Sequence, residues 1–129
     1  VELRPVPTGE RPFVRAYRPG GFTIGVTRWE GSVLLLPDRV ERWAPLDPEA
    51  LRAEDLHSLR PLAGRDVSLL LLGLGATGRR LPPALLAELR SWGLAIEAVA
   101  TPAACRTWNL LLAEGRAAAA ALIALPPTG

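Results

Sequence analysis

Val67-Ser68-Leu69-Leu70-Leu71-Leu72-Gly73-Leu74-Gly75-Ala76-Thr77-Gly78 is the stretch whose reading decides the fold. Val67 to Leu72 is a continuous apolar run, the pattern of a strand covered on both faces. A glycine loop follows, and Pro82-Pro83 then open a helix that runs to about Trp92 and is ended by Gly93. Leu94 to Val99 reads as the next strand, a second helix starts at Thr101, and Arg116 to Leu125 reads as the last strand. The resulting β-α-β-α-β order implies parallel neighbours joined by right-handed crossovers. The second half of the chain is therefore α/β.

The first half reads differently. Phe22, Ile24 and Val26 alternate with Thr23, Gly25 and Thr27, which is the period of a half-buried strand. Glu30-Gly31 is a turn, Ser32 to Leu36 a buried strand stopped by Pro37-Asp38, and Arg39 to Trp43 a third short strand. Gly20-Gly21 suggests a bulge or a tight approach. Together these form an antiparallel β extension. Asp47-Pro48-Glu49 carries the N-cap, proline and first-turn acid of a helix start, with Leu51, Leu56 and Leu59 on the apolar face of a helix through Leu62. Residues 13–125 make one domain, preceded by a loosely ordered arm (1–12) with three prolines and followed by a short tail (126–129).

Composition bounds the function. The chain has 129 residues, 49% apolar and 22% charged, which suits one globular domain with a single buried core. All fifteen basic residues are Arg, yet the net charge is only +2 and the arginines are scattered. Nucleic-acid binders concentrate such charge on one face, so a nucleic-acid partner is not expected. No apolar run approaches the roughly 18 to 20 residues that cross a bilayer. The chain opens on Val and contains no Met, so a trimmed or processed start is expected, with removal of a targeting segment left open. A single Cys excludes an internal disulfide and a cysteine-based zinc site. A reducing, cytoplasmic setting is the expectation. No metal motif, phosphate-binding Walker loop or catalytic triad spacing is present, and no cofactor is expected.

Two stretches carry candidate chemistry. The first is Gly73-Leu74-Gly75-Ala76-Thr77-Gly78, which matches G-x-G-x-x-G after a strand, with Glu97 about 20 residues on. In dinucleotide-binding folds the helix begins within the glycines, so that its N-terminus meets the pyrophosphate. Pro82 and Pro83 place the helix start beyond Gly78, and proline cannot sit in a helix interior. A flexible loop at a strand's C-terminal edge, where ligands of open α/β sheets bind, is the stronger reading, and nucleotide binding the weaker one. The second stretch is Thr101 to Arg116. Thr101 reads as N-cap, Pro102 as the first helical residue and Gly115 as the left-handed stop. Thr101, Cys105 and Asn109 fall at i, i+4 and i+8, flanked by Arg106, and so share a polar stripe. Solvated stripes are usually Glu, Lys and Arg, so this one looks selected for contacts. Cys105 lies near a helix start beside Arg106, which favours a thiolate, but no base accompanies it. Glu114-Gly115-Arg116 holds an ion pair or simply finishes the helix. His57 reads as an ordinary helical histidine, and the four tryptophans as core or rim residues.

These motifs together resemble a known family. The string Gly20-Gly21-Phe22, Gly31-Ser32-Val33-Leu34, Trp43, Leu70 to Gly75, Gly93, Glu97 and Thr101-Pro102-Ala103-Ala104-Cys105-Arg106-Thr107-Trp108-Asn109 carries the likeness, completed by Glu114-Gly115-Arg116 and Ala119 to Ile123. It is similar to a conserved domain-of-unknown-function family first seen in an archaeal methanogen protein, to which the mitochondrial complex I assembly factor 3 belongs. Trp108 stands where Tyr is common and Pro102 where Gly is common. The resemblance spans about Phe13 to Leu125. It implies a three-layer α/β fold with a central mixed sheet and an extra β layer. It implies no established enzyme activity. The mitochondrial member works with a protein partner at the inner membrane, so a protein partner is implied here.

Two hypotheses follow. One is a non-catalytic binding or assembly protein whose recognition surface is formed by Thr101, Cys105, Arg106 and Asn109 with the loop of Gly73, Gly75 and Gly78, and with Glu114 and Arg116 at the far end. The other is a small-molecule site in the same crevice. There Arg106 and the helix N-terminus receive an anionic group, Asn109 orients it, and Cys105 is the weak candidate for a reactive residue.

Overall fold

The computed structural model describes residues 11–78 and 80–127, together with the backbone of residues 3–5. The strands of the first half are β1 (Leu3–Pro5), β2 (Val14–Arg18), β3 (Gly21–Ile24), β4 (Thr27–Glu30), β5 (Ser32–Leu36) and β6 (Arg39–Trp43). Three 3-10 turns follow, at Pro48–Ala50, Ala53–Leu56 and Arg60–Leu62. The second half runs β7 (Leu69–Leu74), α1 (Pro83–Ser91), β8 (Ala95–Val99), α2 (Thr101–Ala113) and β9 (Ala118–Ile123). One sheet has the order β1-β6-β5-β9-β7-β8 and the other β2-β3-β4. The large sheet is mixed: β7 pairs parallel with β8 and β9, while β5 pairs antiparallel with β6 and β9. The β-α-β-α-β order and the antiparallel extension are both present.

Side-chain parity builds the layers, because successive strand residues point to opposite faces. Leu34 and Leu36 of β5, Leu70, Leu72 and Leu74 of β7, and Ala119, Ala121 and Ile123 of β9 fill one core. Val33, Leu35, Leu71, Ala118, Ala120 and Leu122 fill the other. Leu85 and Leu89 of α1, with Leu51, Leu56 and Leu59, close the first core. Cys105, Trp108 and Leu111 of α2, with Phe22, Ile24 and Trp29, close the second. The continuous apolar run around β7 is thus explained by a strand covered on both sides. Each buried leucine contributes roughly 1.5–3 kcal/mol of burial free energy.

Several expectations are corrected. The helix expected from Asp47 through Leu62 is three short 3-10 turns. Asp47 does cap as read, its Oδ1 accepting the Glu49 N–H at 2.9 Å. The chain then extends at Leu51 (ψ 133°) and Arg52 (ψ 159°), and the Asp55 carboxylate accepts the Arg52 N–H at 2.9 Å to begin a new turn. Pro61 withholds a further donor. Leu51, Leu56 and Leu59 are buried all the same. Val26 does not continue the alternation of β3. It lies at a hairpin tip after Gly25 (φ +59°) and is 80% exposed, since a two-residue hairpin loop needs a positive φ at its first position. The last strand is shorter than Arg116 to Leu125, and Gly73 and Leu74 belong to β7 rather than to the loop.

Val1, Glu2 and residues 6–10 lie outside the described residues, as do residue 79 and residues 128–129 of the tail. Leu3–Pro5 pairs antiparallel with β6. Arg11 Nη1 donates to the Leu112 carbonyl at 2.6 Å, and the Pro12 carbonyl accepts from Trp108 Nε1 at 2.9 Å. Residues 11 and 12 are therefore fastened to α2.

The stop of α2 follows the sequence closely. Gly115 adopts φ +69°, its N–H donates to the Leu112 carbonyl, and the Arg116 N–H donates to the Leu111 carbonyl at 3.0 Å. This pair of bonds is the Schellman arrangement, which needs a left-handed residue. A Cβ at Gly115 meets nothing within 4 Å, so only backbone strain is at stake. Gly115→Ala is expected to lower stability by about 1–2 kcal/mol, read from urea unfolding at unchanged m-value.

Candidate functional site

Thr101 is the first residue of α2, but its hydroxyl does not cap that helix. Ala100 (φ −65°, ψ 150°) occupies the N-cap position without a side-chain bond, and Pro102 follows Thr101 inside the first turn. The Thr101 side chain turns across the sheet instead. Its Oγ1 accepts the Gly75 N–H at 2.9 Å and donates to the Ile123 carbonyl at 2.7 Å. The Thr101 N–H in turn donates to the Gly75 carbonyl at 2.8 Å. Helix start, glycine loop and the end of β9 are thereby joined at a residue that is 0% exposed. The crevice expected between loop and helix is closed by direct hydrogen bonds.

This closure decides what the helix start can offer an anion. The Thr101 N–H is spent on Gly75, Pro102 has none, and the Ala104 N–H enters the helix ladder on Ala100 at 2.9 Å. Ala103 is left as the one first-turn donor. A phosphate site ordinarily uses several converging amides.

Two of the three glycines have packing roles and the third a conformational one. A Cβ on Gly73 would lie 3.1 Å from Cα and Oγ1 of Thr101 and from Cδ2 of Leu122, so the missing side chain lets α2 approach β7. Gly75 turns the chain at φ +87°. A Cβ on Gly78 would stand 2.9 Å from the Ala100 amide nitrogen. Helix α1 begins at Pro83, beyond the loop, as the prolines required. The spacing of the dinucleotide fingerprint is present without its helix-on-pyrophosphate geometry.

The polar stripe of α2 faces inward, and this corrects its reading as an open surface. Cys105 is 3% exposed among the apolar residues of the second core. Burial pushes its thiol from 9.0 up to about 12, outweighing the opposing pull of the Arg106 charge. At neutral pH it is a protonated, enclosed thiol rather than a nucleophile. Asn109 is half-buried and pairs with Val14 as a strand would: Oδ1 accepts the Val14 N–H at 2.8 Å, and Nδ2 donates to the Val14 carbonyl at 2.9 Å. Of the four stripe residues, Arg106 alone is exposed.

Glu114 and Arg116 lie at the opposite end of α2, roughly 20 Å from Thr101 at 1.5 Å per residue. The structure does not bring them together with the glycine loop. Their side chains approach to 3.9 Å while more than half exposed, a geometry contributing about 0–1 kcal/mol. Arg116 borders a cavity of about 230 Å³ with Arg11, Asp66 and Trp108. His57 is exposed, its Nδ1 3.1 Å from the Glu54 carbonyl. Among the described residues no group of three His, Cys, Asp or Glu side chains is arranged to hold a metal. Sequence reasoning passed over Ser32, whose buried hydroxyl donates to the Pro45 carbonyl at 2.6 Å and accepts the Ala124 N–H at 2.9 Å. The apolar run that follows Ser32 conceals its role, although a polar residue at the head of a buried strand was the available signal.

The family described as a protein of unknown function (DUF498/DUF598) matches residues 14–123. The chain belongs to that family. An uncharacterized protein of Rhodobacter capsulatus is 38% identical over 113 residues, covering 88% of this chain and 85% of that protein. NADH dehydrogenase [ubiquinone] 1 alpha subcomplex assembly factor 3 is 39% identical over 116 residues in Danio rerio and 36% over 117 in Homo sapiens. Those alignments cover 90% and 91% of this chain but only 66% and 62% of the assembly factors, so the chain spans about two thirds of their length. Among solved structures, the Rpa2829 protein of Rhodopseudomonas palustris superposes with a TM-score of 0.82 at 32% identity, covering 98% of this chain and 91% of that one. A Bordetella pertussis protein described as a Mth938-like domain gives 0.77 at 27%, covering 91% and 88%.

Two outcomes are expected at this site. Thr101→Val keeps the shape but strands the Gly75 N–H and the Ile123 carbonyl, which should cost about 1–3 kcal/mol for each group left unpaired, with Thr101→Ser recovering part of the loss in chemical denaturation. The Cys105 thiol should resist an aromatic disulfide reagent in the native chain and react stoichiometrically in denaturant. Because its folded pKa is raised, the stability it contributes is intact below about pH 9 and declines as pH rises through about 12. A Cys105→Ala variant should lack that alkaline slope.

Proposed function

We propose that this chain is a non-catalytic binding protein that serves the assembly of a complex I-type NADH dehydrogenase. The observation that carries the reading is its similarity to assembly factor 3, 39% identical over 116 residues in Danio rerio. The geometry supports a binding role over a catalytic one: Thr101 and Asn109 spend their polar atoms on the fold, and the lone thiol of Cys105 is buried and protonated. Its partners are protein subunits of the enzyme, some of them membrane-associated. Among the described residues no helix is long and apolar enough to cross a membrane. A reducing compartment such as the cytoplasm suits the free thiol.

The recognition surface in this reading consists of exposed groups held in place by the buried seam. Arg106 and the loop tip Ala76-Thr77-Gly78 are exposed, with Glu114 and Arg116 at the other end of α2. Gly73, Gly75, Thr101, Cys105 and Asn109 act from beneath by fixing where these groups stand.

The test is quantitative affinity purification of the tagged chain from its own host, paired with a gene deletion. Enrichment of NADH dehydrogenase subunits, and loss of the assembled enzyme on native gels after deletion, are expected. Arg106→Glu should reduce the enrichment severalfold without lowering the melting temperature. Unchanged enzyme assembly in the deletion strain, with no enriched subunit, would overturn the proposal.

A further inference from the structure

Strand β8 ends the large sheet beside α1, and among the described residues no strand pairs with its outer side. Its parallel register with β7 sets which backbone groups are left over. The Ala95 N–H donates to the Ser68 carbonyl at 2.9 Å, and Leu69, Leu71 and Gly73 align with Ala95, Glu97 and Val99. In a parallel ladder alternate residues bond to the same neighbour. Ala95, Glu97 and Val99 therefore turn their amides and carbonyls to β7, and Ile96 and Ala98 turn theirs outward. The same two residues are half-buried on the α1 face, where with Leu81 and Leu86 they floor a groove of about 420 Å³. Arg80 and Arg90 are the charged residues lining it, and neither is ion-paired among the described residues.

Open edges in native proteins are commonly blunted by proline, lysine, a bulge or a covering loop. Ala95-Ile96-Glu97-Ala98-Val99 has neither proline nor lysine, and its register with β7 runs without a bulge. Its one charge, Glu97, lies on the face away from the groove. Backbone donors and acceptors, an apolar trough for alternate side chains and two unneutralised arginines thus coincide along one strand. That is the requirement for strand addition by an extended peptide.

We propose that the β8 edge and the α1 groove accept an extended segment of a partner protein as an additional strand. Its alternate apolar side chains enter the groove, and its acidic flanks meet Arg80 and Arg90. Charge selects this occupant over a second copy of the chain. Antiparallel pairing of two β8 edges would bring the arginines of both grooves together on chains that each carry +2 net charge. The inference rests on the binding-protein reading above and names the partner's chemistry. It also fails separately, since enrichment of enzyme subunits does not depend on which edge holds them.

The experiment uses the full chain, isotope-labelled, and an end-blocked peptide Asp-Glu-Val-Thr-Val-Thr-Val-Glu-Asp. Amide hydrogen exchange in the complex should slow at least tenfold at Ile96 and Ala98 and remain unchanged at Glu97, which is already bonded to β7. The same peptide with lysines replacing its acids should bind at least tenfold more weakly, and Arg80→Glu plus Arg90→Glu should reverse that preference. Ala98→Pro removes an outward N–H without touching the β7 ladder, and should abolish binding in a chain whose circular dichroism is unchanged. Absence of chemical-shift change at millimolar peptide, protection without the alternation, or equal affinity for the acidic and basic peptides would each overturn the proposal. Protection of Ile96 and Ala98 on concentrating the chain alone would overturn it in favour of self-pairing.

Discussion

The Thr101 hydroxyl is the contact on which the arrangement of the second half depends. It accepts from the loop that leaves β7 and donates to the end of β9, while heading the helix that connects β8 to β9. A parallel sheet with crossover helices leaves the direction of each helix across the strands to local contacts. Here one buried side chain sets it. Glycine at 73 is the counterpart of this contact, because the helix can come down on β7 only where the strand has no Cβ. The remainder of α2 is then drawn to the first half of the chain, with Trp108 bonded to Pro12 and Asn109 to Val14. The small β sheet is positioned through that seam.

This arrangement explains why the fold was more legible in the sequence than the site was. Strand and helix identities in the second half followed from period and punctuation: the apolar run at β7, Pro82-Pro83, Gly93, and the glycine stop at 115. These are local signals, and each agreed with the tertiary structure. The segment after Asp47 is ambiguous in sequence because its apolar spacing suits a helix and a string of 3-10 turns equally. What decides between them is the Asp55 carboxylate binding the Arg52 amide, a local competition that spacing cannot reveal. Val26 keeps the alternation of β3 although it lies at the turn, because alternation persists through a two-residue hairpin and only the positive φ of Gly25 marks the break.

Three of the four residues in the polar stripe are buried or half-buried against other elements. Threonine, cysteine and asparagine at helical spacing do mark a face with a specific task, and that much was visible. Periodicity places residues on a common face without saying whether solvent or another element covers it. At Asn109 the covering element is β2, far away in sequence and itself short and poor in pattern, and at Thr101 it is the glycine loop with the end of β9. A polar helix face is also what a backbone-pairing seam requires, since Asn109 supplies β2 with a donor and an acceptor that another strand would otherwise provide. The choice between recognition and packing therefore turns on a long-range partner that local pattern does not carry.

The motifs by which the chain resembles its family are thereby accounted for mainly by architecture. Gly73 and Gly78 admit close backbone approach, Gly75 turns the chain at positive φ, Thr101 and Ser32 satisfy buried backbone groups at the ends of strands, and Asn109 zips two elements together. Specific strings are often taken to mark chemistry, yet a buried polar node is as demanding of residue type as an active site, because each unmet hydrogen bond costs on the order of a kilocalorie or more. When the signature is absorbed by the frame, the functional surface must be sought among exposed groups whose placement the frame controls. In this chain those are Arg106, the tip of the glycine loop and the unpaired edge of β8. All three adjoin the β7–β8–α2 corner that the Thr101 node holds together.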